Sequence, residues 1–257
     1  MFSKLKILEI VDLSHNPLWS LSTFNNFSYT LSKLYELYLW SCKINEFPFF
    51  LTNLENLEWL DLPHNQIKGN TPTWLLDVGK DSLRYLNLSN NFLTNIDQLP
   101  WKKLAYHDLH SNSLEGPLPI PLRGISFFSI SGNNLSGVIP SLICTTSSFK
   151  ILDLSHNDMS DMIPSCLGNL SGSLLVLDLW NNKFHGTIPK TFAKGNKLRS
   201  LNLDGNQLEG ILLQSLANCK HLEVLDLGLE FLPLVKRNQN MCTGNHLFWN
   251  SIVYKTT

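Results

Sequence analysis

The sequence predicts a solenoid of about ten stacked repeats, with a parallel β-sheet along its concave face. Leucine accounts for 50 of the 257 residues and asparagine for 27, which is far from the composition of an ordinary single-core protein. Strings such as VDLSHN, LDLPHN, LNLSNN and LDLWNN recur along the chain. The last residues of successive strings are 21 to 26 positions apart, with a mean close to 24.

Ten anchor positions define the repeats, each being the last residue of one such string or its equivalent. They are Asn16, Cys42, Asn65, Asn91, Asn112, Asn133, Asn157, Asn182, Asn206 and a degenerate tenth at Glu230. Each unit reads L-x-x-L-x-L-x-x-N/C-x-L, which is the leucine-rich repeat pattern. Leu57, Leu60, Leu62, Asn65 and Ile67 fill one copy. The shared register identifies the fold as a leucine-rich repeat solenoid.

The central x-L-x-L-x of each unit alternates with a period of two, as in a β-strand that places its leucines on one face. One such strand cannot bury its leucines alone, so stacked units are expected to build a continuous core. The anchor amide is expected to bond backbone groups that the bend after the strand leaves unpaired, forming a ladder. Cys42 is an accepted variant at this position, whereas His107 is a polar residue in a leucine position.

Many units continue after the anchor as L-x-G-x-I-P, for example from Leu135 to Pro140 and from Phe184 to Pro189. Glycine permits a turn that other residues resist, and proline ends a helix. We therefore expect short 3₁₀ or extended segments on the convex side. The signature resembles the plant-specific subclass of leucine-rich repeats, and this resemblance implies a second, shorter sheet on the flank.

Residues 5–229 resemble the ectodomains of plant receptor-like proteins of the defence type, which are cell-surface leucine-rich repeat receptors without a kinase. A narrower resemblance includes the shortened 21-residue units, EGPLPIP at 115–121, SLIC at 141–144 and IPSCLGNLSGSL at 163–174. The resemblance implies a peptide, protein or glycan ligand and a co-receptor. For the parent family it also implies a plasma-membrane or extracellular location.

The repeat pattern covers residues 1–230 and begins inside a repeat. Residues 231–257 contain no further unit, which predicts a poorly ordered tail. The sequence shows no secretory signal, no cysteine caps and no apolar run of 18 residues that could span a membrane. These features predict a fragment or truncated product of a longer receptor, and they leave its own compartment open.

Side chains between the strand leucines are expected to point outwards on the concave face. An aromatic column runs through the third to sixth repeats, six positions before each anchor. Exposed aromatic residues on a rigid sheet often anchor a partner. The predicted ligand-binding residues are Tyr38, Trp40, Trp59, Tyr85, Tyr106, Phe127 and Trp180. The alternative is that tyrosine before LDLS is simply common in the family.

Aspartates occupy the central outward position of most repeats. They are Asp12, Asp61, Asp108, Asp153, Asp178 and Asp226. Stacked carboxylates could perform acid–base chemistry or hold a cation, but LDL is repeat consensus, which favours a structural role. His15, His64 and His156 each precede an anchor and lie at least two repeats apart, so we interpret them as solvated polar positions. The sequence predicts no metal site and no cofactor.

Asparagine-linked glycosylation and one disulfide are the candidate modifications. The sequons lie at Asn26, Asn87, Asn134 and Asn169, of which Asn169 is the most favoured. The five cysteines do not form a disulfide framework. Cys144 and Cys166 are 22 residues apart, about one repeat, so they could lie within bridging distance or remain as thiols.

No catalytic motif is present, so the chain is not expected to be an enzyme. A net charge of −1 gives no electrostatic footprint for nucleic acid. The leading hypothesis is a ligand-recognition ectodomain fragment of a plant cell-surface receptor-like protein in defence signalling. The alternatives are a secreted inhibitor of microbial wall-degrading enzymes, similar to polygalacturonase inhibitors, a receptor-kinase ectodomain fragment, or a non-functional truncated product.

Overall fold

The computed structural model describes most of the repeat region of the chain. The described residues are 7–16, 31–96, 100–121, 123–146, 148–193, 197–209, 216, 219 and 221–228. The sequon at Asn26 and the tail at 231–257 lie outside this part of the chain. Within it, every repeat contributes one short strand to a single large sheet.

Seventeen strands are present among the described residues, and all their pairings are parallel. In chain order they are β1 (Ile10–Asp12), β2 (Glu36–Tyr38), β3 (Trp59–Asp61), β4 (Lys68–Asn70), β5 (Tyr85–Asn87), β6 (Phe92–Asn95), β7 (Tyr106–Asp108), β8 (Glu115–Gly116), β9 (Phe127–Ser129), β10 (Asn134–Gly137), β11 (Ile151–Asp153), β12 (Asp158–Met162), β13 (Val176–Asp178), β14 (Lys183–Thr187), β15 (Ser200–Asn202), β16 (Gln207–Glu209) and β17 (Val224–Asp226).

The large sheet has ten strands in the order β1-β2-β3-β5-β7-β9-β11-β13-β15-β17. This order confirms the solenoid that the anchors predict, with one strand from each repeat. The middle residue of nearly every strand is buried, as Leu60 and Leu177 illustrate, while the two outer residues face the other way. We call this outward side of the ten-stranded sheet the concave face. Its strands hold the first and third residues of each repeat in fixed rows.

The anchor asparagines form the expected hydrogen-bond ladder. The Asn157 amide donates to the carbonyl oxygens of Ile130, Leu154 and Ser155 at 3.1 to 3.2 Å, and its oxygen accepts from the Leu135 amide at 3.0 Å. The same pattern recurs at Asn65, Asn91, Asn112, Asn133, Asn182 and Asn206. Each anchor therefore joins its own turn to the preceding repeat through backbone groups that would otherwise be buried unpaired.

The convex side carries the short segments that the proline signature predicts. They are 3₁₀ helices at Phe49–Asn53, Thr73–Asp77, Ser141–Thr146, Leu170–Gly172 and Lys190–Ala193, and a five-residue helix α1 at Ser165–Asn169. The flank sheet implied by the family resemblance is present in two pieces. One contains β4 and β6, and the other has the order β16-β14-β12-β10-β8. The two pieces separate at the first shortened repeat.

His107 is the polar intrusion into the core that the sequence indicates. The side chain is fully buried between strands β5 and β9, in register with Leu86 and Phe128. Neither ring nitrogen has a hydrogen-bond partner within the described ranges, and the ring packs edge-on to Trp101 with centroids 6.4 Å apart. Burial lowers the pKa of His107 to about 3, so the imidazole stays neutral.

Cys144 and Cys166 form a disulfide on the convex side, with their Cα atoms 5.9 Å apart. Cys144 belongs to the 3₁₀ helix at Ser141–Thr146, and Cys166 is the second residue of the next repeat's helix α1. The bridge therefore joins two successive repeats on the side away from the ten-stranded sheet. Cys42 and Cys219 are buried thiols, and the Cys42 sulfur donates to the Leu13 carbonyl at 3.2 Å in place of an anchor amide.

Candidate functional site: the concave face

Four aromatic side chains on the concave face form a continuous ladder. Trp59, Tyr85, Tyr106 and Phe127 are the first residues of strands that neighbour one another in the sheet. Trp59 and Tyr85 lie with ring centroids 3.6 Å apart and an interplanar angle of 5°. The next two pairs follow at 4.3 Å and 4.1 Å, with angles of 11° and 7°. We call these four residues the aromatic ladder.

The ladder presents ring edges to solvent, because its members cover one another's faces. Aromatic pairs typically contribute about 0.5–1.5 kcal/mol each beyond the area that they bury. The rings are half-buried, and burial raises the pKa of Tyr85 to about 12. A sugar ring or a cation would need an open aromatic face, so the ladder favours apolar side chains that lie across the ring edges.

Tyr38 extends this surface towards the N-terminal repeats, at an angle to the ladder. Its ring lies 6.2 Å from that of Trp59, tilted by 42°. The Tyr38 hydroxyl donates to the Glu36 carboxylate at 2.8 Å, and burial beside that carboxylate raises the pKa of the phenol. The corresponding hydroxyl of Tyr106 donates to Asp108 at 3.2 Å. Both rings are thereby fixed by acidic neighbours on the same strand.

Trp40 and Trp180 lie outside the ladder, in the row two positions before the anchors. Trp40 contacts His15 and His64, with ring centroids 4.8 Å and 5.7 Å away. Trp180 packs edge-on against His156 at 4.2 Å. These three histidines all have left-handed backbone, with φ between 52° and 61°. They flank tryptophans at the rim of the concave face, which the sequence pattern did not indicate.

Carboxylates form a second row beside the aromatic ladder. Asp61 is the most perturbed, because burial raises its pKa to about 6, although a hydrogen bond from Asn87 opposes this. One Asp61 oxygen and the indole nitrogen of Trp59 are buried without a hydrogen-bond partner among the described residues. Strand β3 therefore holds a buried acceptor and a buried donor that have no hydrogen-bond partner in the described part of the chain.

The other carboxylates are held by short local bonds. Asp108 is buried and bonds the His110 ring at 2.8 Å, which raises the pKa of that histidine. Asp153 accepts from the Ser155 hydroxyl at 2.7 Å and from the Ser129 hydroxyl at 3.0 Å. Asp178 has a raised pKa, chiefly from burial and also from the neighbouring Asp153 charge. Among the described residues no three metal-ligating side chains converge on one point.

The candidate sequons occupy different surfaces. Asn134 and Asn169 are exposed, at the start of β10 and at the end of helix α1. Asn87 is half-buried on the concave face between Asp61 and Asp108, and its oxygen accepts from the Ser89 amide at 3.0 Å. No helix among the described residues is long and apolar enough to cross a membrane.

Comparison with protein families supports the repeat assignment. Two leucine-rich repeat family models match the chain, one over residues 172–228. The other matches four separate units at 56–77, 82–104, 124–146 and 148–170. Together they cover more than half of the sequence.

The chain also resembles proteins from Arabidopsis thaliana. It is 38% identical to receptor-like protein 53 over 225 residues, which is 87% of this chain and 21% of that protein. The chain thus spans about a fifth of the length of this relative. The solved ectodomain of the receptor kinase GASSHO1/SCHENGEN3, in complex with CASPARIAN STRIP INTEGRITY FACTOR 2, is 30% identical with a TM-score of 0.75. This match covers 88% of this chain and 27% of that one.

The ectodomain of the receptor kinase HAESA from Arabidopsis, in complex with an IDA peptide hormone, is 26% identical with a TM-score of 0.63. This match covers 88% of this chain and 42% of that one. Both solved structures are ectodomains of plant receptor kinases, each in complex with the molecule named above. The chain therefore belongs to the leucine-rich repeat family, within the group of plant receptor-like proteins.

Proposed function

We propose that this chain recognises a peptide or protein ligand on its concave face, as part of a plant cell-surface receptor of the defence type. The observation that carries the proposal is the aromatic ladder. Four stacked, half-buried rings on neighbouring strands form an aromatic strip that is partly open to solvent. Such preordered side chains lose little conformational entropy when a partner binds.

Several features support this function. The structural relatives that bind peptides do so through ectodomains of the same repeat type, as their complexes with a peptide hormone and with an integrity factor indicate. The proposal includes an extracellular location, a co-receptor and glycans on the exposed Asn134 and Asn169. A glycan on the half-buried Asn87 would cover the ladder, so we propose that this sequon is unmodified in the binding form.

The test is a selection from a random 12-residue peptide library on the purified chain. Selected peptides are then titrated against the triple variant Trp59→Ala, Tyr85→Ala, Tyr106→Ala. We expect the affinity to fall at least tenfold. A tenfold loss of affinity corresponds to about 1.4 kcal/mol, and the removal of a single central aromatic contact often costs more than that. Circular dichroism and thermal unfolding establish that the variant keeps its fold.

The matched control removes two rings from the convex side. Phe49 and Trp74 form an edge-on pair with centroids 5.9 Å apart, and Phe49 is 64% exposed. The double variant Phe49→Ala, Trp74→Ala should bind the selected peptides as the wild type does. Equal loss of binding in both variants, or unchanged binding in the ladder variant, would refute the proposal.

A further inference from the structure

The concave face has a strongly uneven charge, although the chain as a whole carries a net charge of only −1. The outward positions of the ten strands and of the turns after them contain no lysine or arginine. They contain the carboxylates Asp12, Glu36, Asp61, Asp108, Asp153, Asp178, Asp204 and Asp226. The chain's cations therefore lie elsewhere, and this surface would attract a positively charged partner.

The aromatic ladder and the densest run of carboxylates lie in different halves of the face, although Asp61 and Asp108 lie beside the ladder. The aromatic ladder occupies β3, β5, β7 and β9. Beyond it, β11 to β17 carry small or aliphatic first residues, and their carboxylates are Asp153, Asp178, Asp204 and Asp226. We call this second half the acidic step. It adjoins the ladder directly, because β9 pairs with β11.

Among the described residues, no lysine or arginine forms an ion pair with a carboxylate of the acidic step. The ion pairs of lysine and arginine among the described residues involve Asp77, Glu58, Asp158 and Glu223, none of which lies in the step. Arg199 is exposed just before β15, where it pairs with Glu223 at 3.7 Å. Lys150 is exposed just before β11. Negative charges lie close together within the step, because Asp153 and Asp178 are register partners on adjacent strands.

The dimensions of the two halves suit a short extended chain. Strands in a sheet lie about 4.8 Å apart, so the eight strands from β3 to β17 span roughly 34 Å. An extended or polyproline II peptide advances about 3.1–3.3 Å per residue, so roughly ten or eleven residues would cover both halves. Each half then contacts about five residues.

We propose that the concave face takes a bipartite peptide, with an apolar half over the aromatic ladder and a lysine- or arginine-rich half over the acidic step. The proposal rests on the proposed function, whose ligand class it specifies. Apolar side chains lie across the ring edges, while the basic side chains pair with carboxylates that have no cation of their own. A uniformly apolar peptide leaves these carboxylates unpaired, and an acidic peptide is repelled by them. Both should bind more weakly than a bipartite peptide.

The experiment uses the peptides selected from the random library on the full chain. Their sequences should show lysine and arginine enriched in one half and apolar residues in the other, relative to the input library. The variant Asp153→Asn, Asp178→Asn, Asp226→Asn should lose at least tenfold in affinity for them. Asn202 already occupies the same strand position on β15, so this substitution is compatible with the fold. Raising the salt concentration should weaken binding to the wild type and have a smaller effect on the variant.

The matched control removes the same formal charge from other surfaces. Asp77, Glu115 and Asp158 are exposed outside the concave face, and the variant Asp77→Asn, Glu115→Gln, Asp158→Asn should bind like the wild type. Selected peptides that depend on the ladder but show no basic half, or that bind the acidic-step variant unchanged, overturn this inference and leave the proposed function standing. Peptides that bind independently of the ladder overturn the proposed function itself.

Discussion

Asp61 and His107 are two ionisable side chains whose burial opposes their charge. Asp61 faces Glu36 and Tyr38 on β2, Tyr85 and Asn87 on β5, and the more distant charges of Asp12 and Asp108. His107 faces the opposite way, into a core of apolar side chains. The strand β5 carries an uncharged residue at each of these two positions. Asn87 lies at the position of Asp61, and Leu86 lies at the position of His107.

We expect Asp61→Asn to stabilise the protein above pH 6. The folded-state pKa of about 6 lies above the ordinary aspartate value of 3.8, so the folded state binds more protons than the unfolded state between these values. Stability is therefore lost as the pH rises through this window, and the variant escapes that loss. The gain should be roughly 1–2 kcal/mol at pH 7.5, after allowance for partial exposure, and should vanish near pH 3.5. Urea unfolding at both pH values measures it, and a gain that is equal at both would contradict the assignment.

We expect His107→Leu to stabilise the protein at every pH, and most in acid. A buried polar group without a partner costs about 1–3 kcal/mol, and leucine occupies the equivalent position on β5. Because the pKa of His107 falls to about 3 in the folded state, the wild type loses stability as the pH drops below 6.5. Melting temperatures at pH 7 and pH 4.5 test this, with His185→Leu on the exposed flank as the control. A His107→Leu variant less stable than the wild type would show that the imidazole has a structural partner.

At the scale of the element, the stability of each repeat depends on its anchor residue as much as on its buried leucines. Each strand of the ten-stranded sheet has only three residues, so few backbone bonds hold it. The anchor amide supplies further bonds, both within the turn and to the preceding repeat. The left-handed residue just before each anchor completes the turn, and glycine occupies it at Gly132 and Gly205.

Asn157→Ala should destabilise the protein by roughly 2–3 kcal/mol, because the amide of Leu135 and the carbonyl of Ile130 would be buried without partners. Asn157→Cys should lose less, since the Cys42 sulfur bonds two carbonyl groups at the equivalent anchor. Urea unfolding of the two variants gives the comparison. Equal stability of the alanine variant and the wild type would mean that water replaces the ladder without loss.

The sequence predicts these elements well, because period and composition determine them. The strands, the anchor bonds and the short convex segments all follow from residues within one repeat. The ring stacking of Tyr85 on Trp59 does not, because it depends on side-chain rotamers of residues that are 26 positions apart. The sequence also does not predict the break in the flank sheet between β6 and β8. Nor does it predict that the His107 ring finds no hydrogen-bond partner among the described residues.

At the scale of the whole molecule, each repeat contacts its neighbours, and the concave face is built from equivalent positions along the stack. The fold places the first and third residues of the strands in rows on the concave face. The residue type in each row, aromatic, aliphatic or acidic, changes along the chain. The aromatic ladder lies in the row of first strand residues, and most carboxylates of the acidic step lie in the row of third strand residues of the same sheet. Ligand preference in this architecture can therefore change by substitution within a row while the core remains intact.

The most direct test of the binding surface is site-specific photo-cross-linking to a library-selected peptide. The photoreactive residue p-benzoylphenylalanine would replace Phe127, at the end of the aromatic ladder next to the acidic step, or Phe49 on the convex side. Both are phenylalanines on the surface, so the replacement is conservative at each. We expect the peptide to cross-link at position 127 and not at position 49. Cross-linking at position 49 with none at position 127 would contradict it.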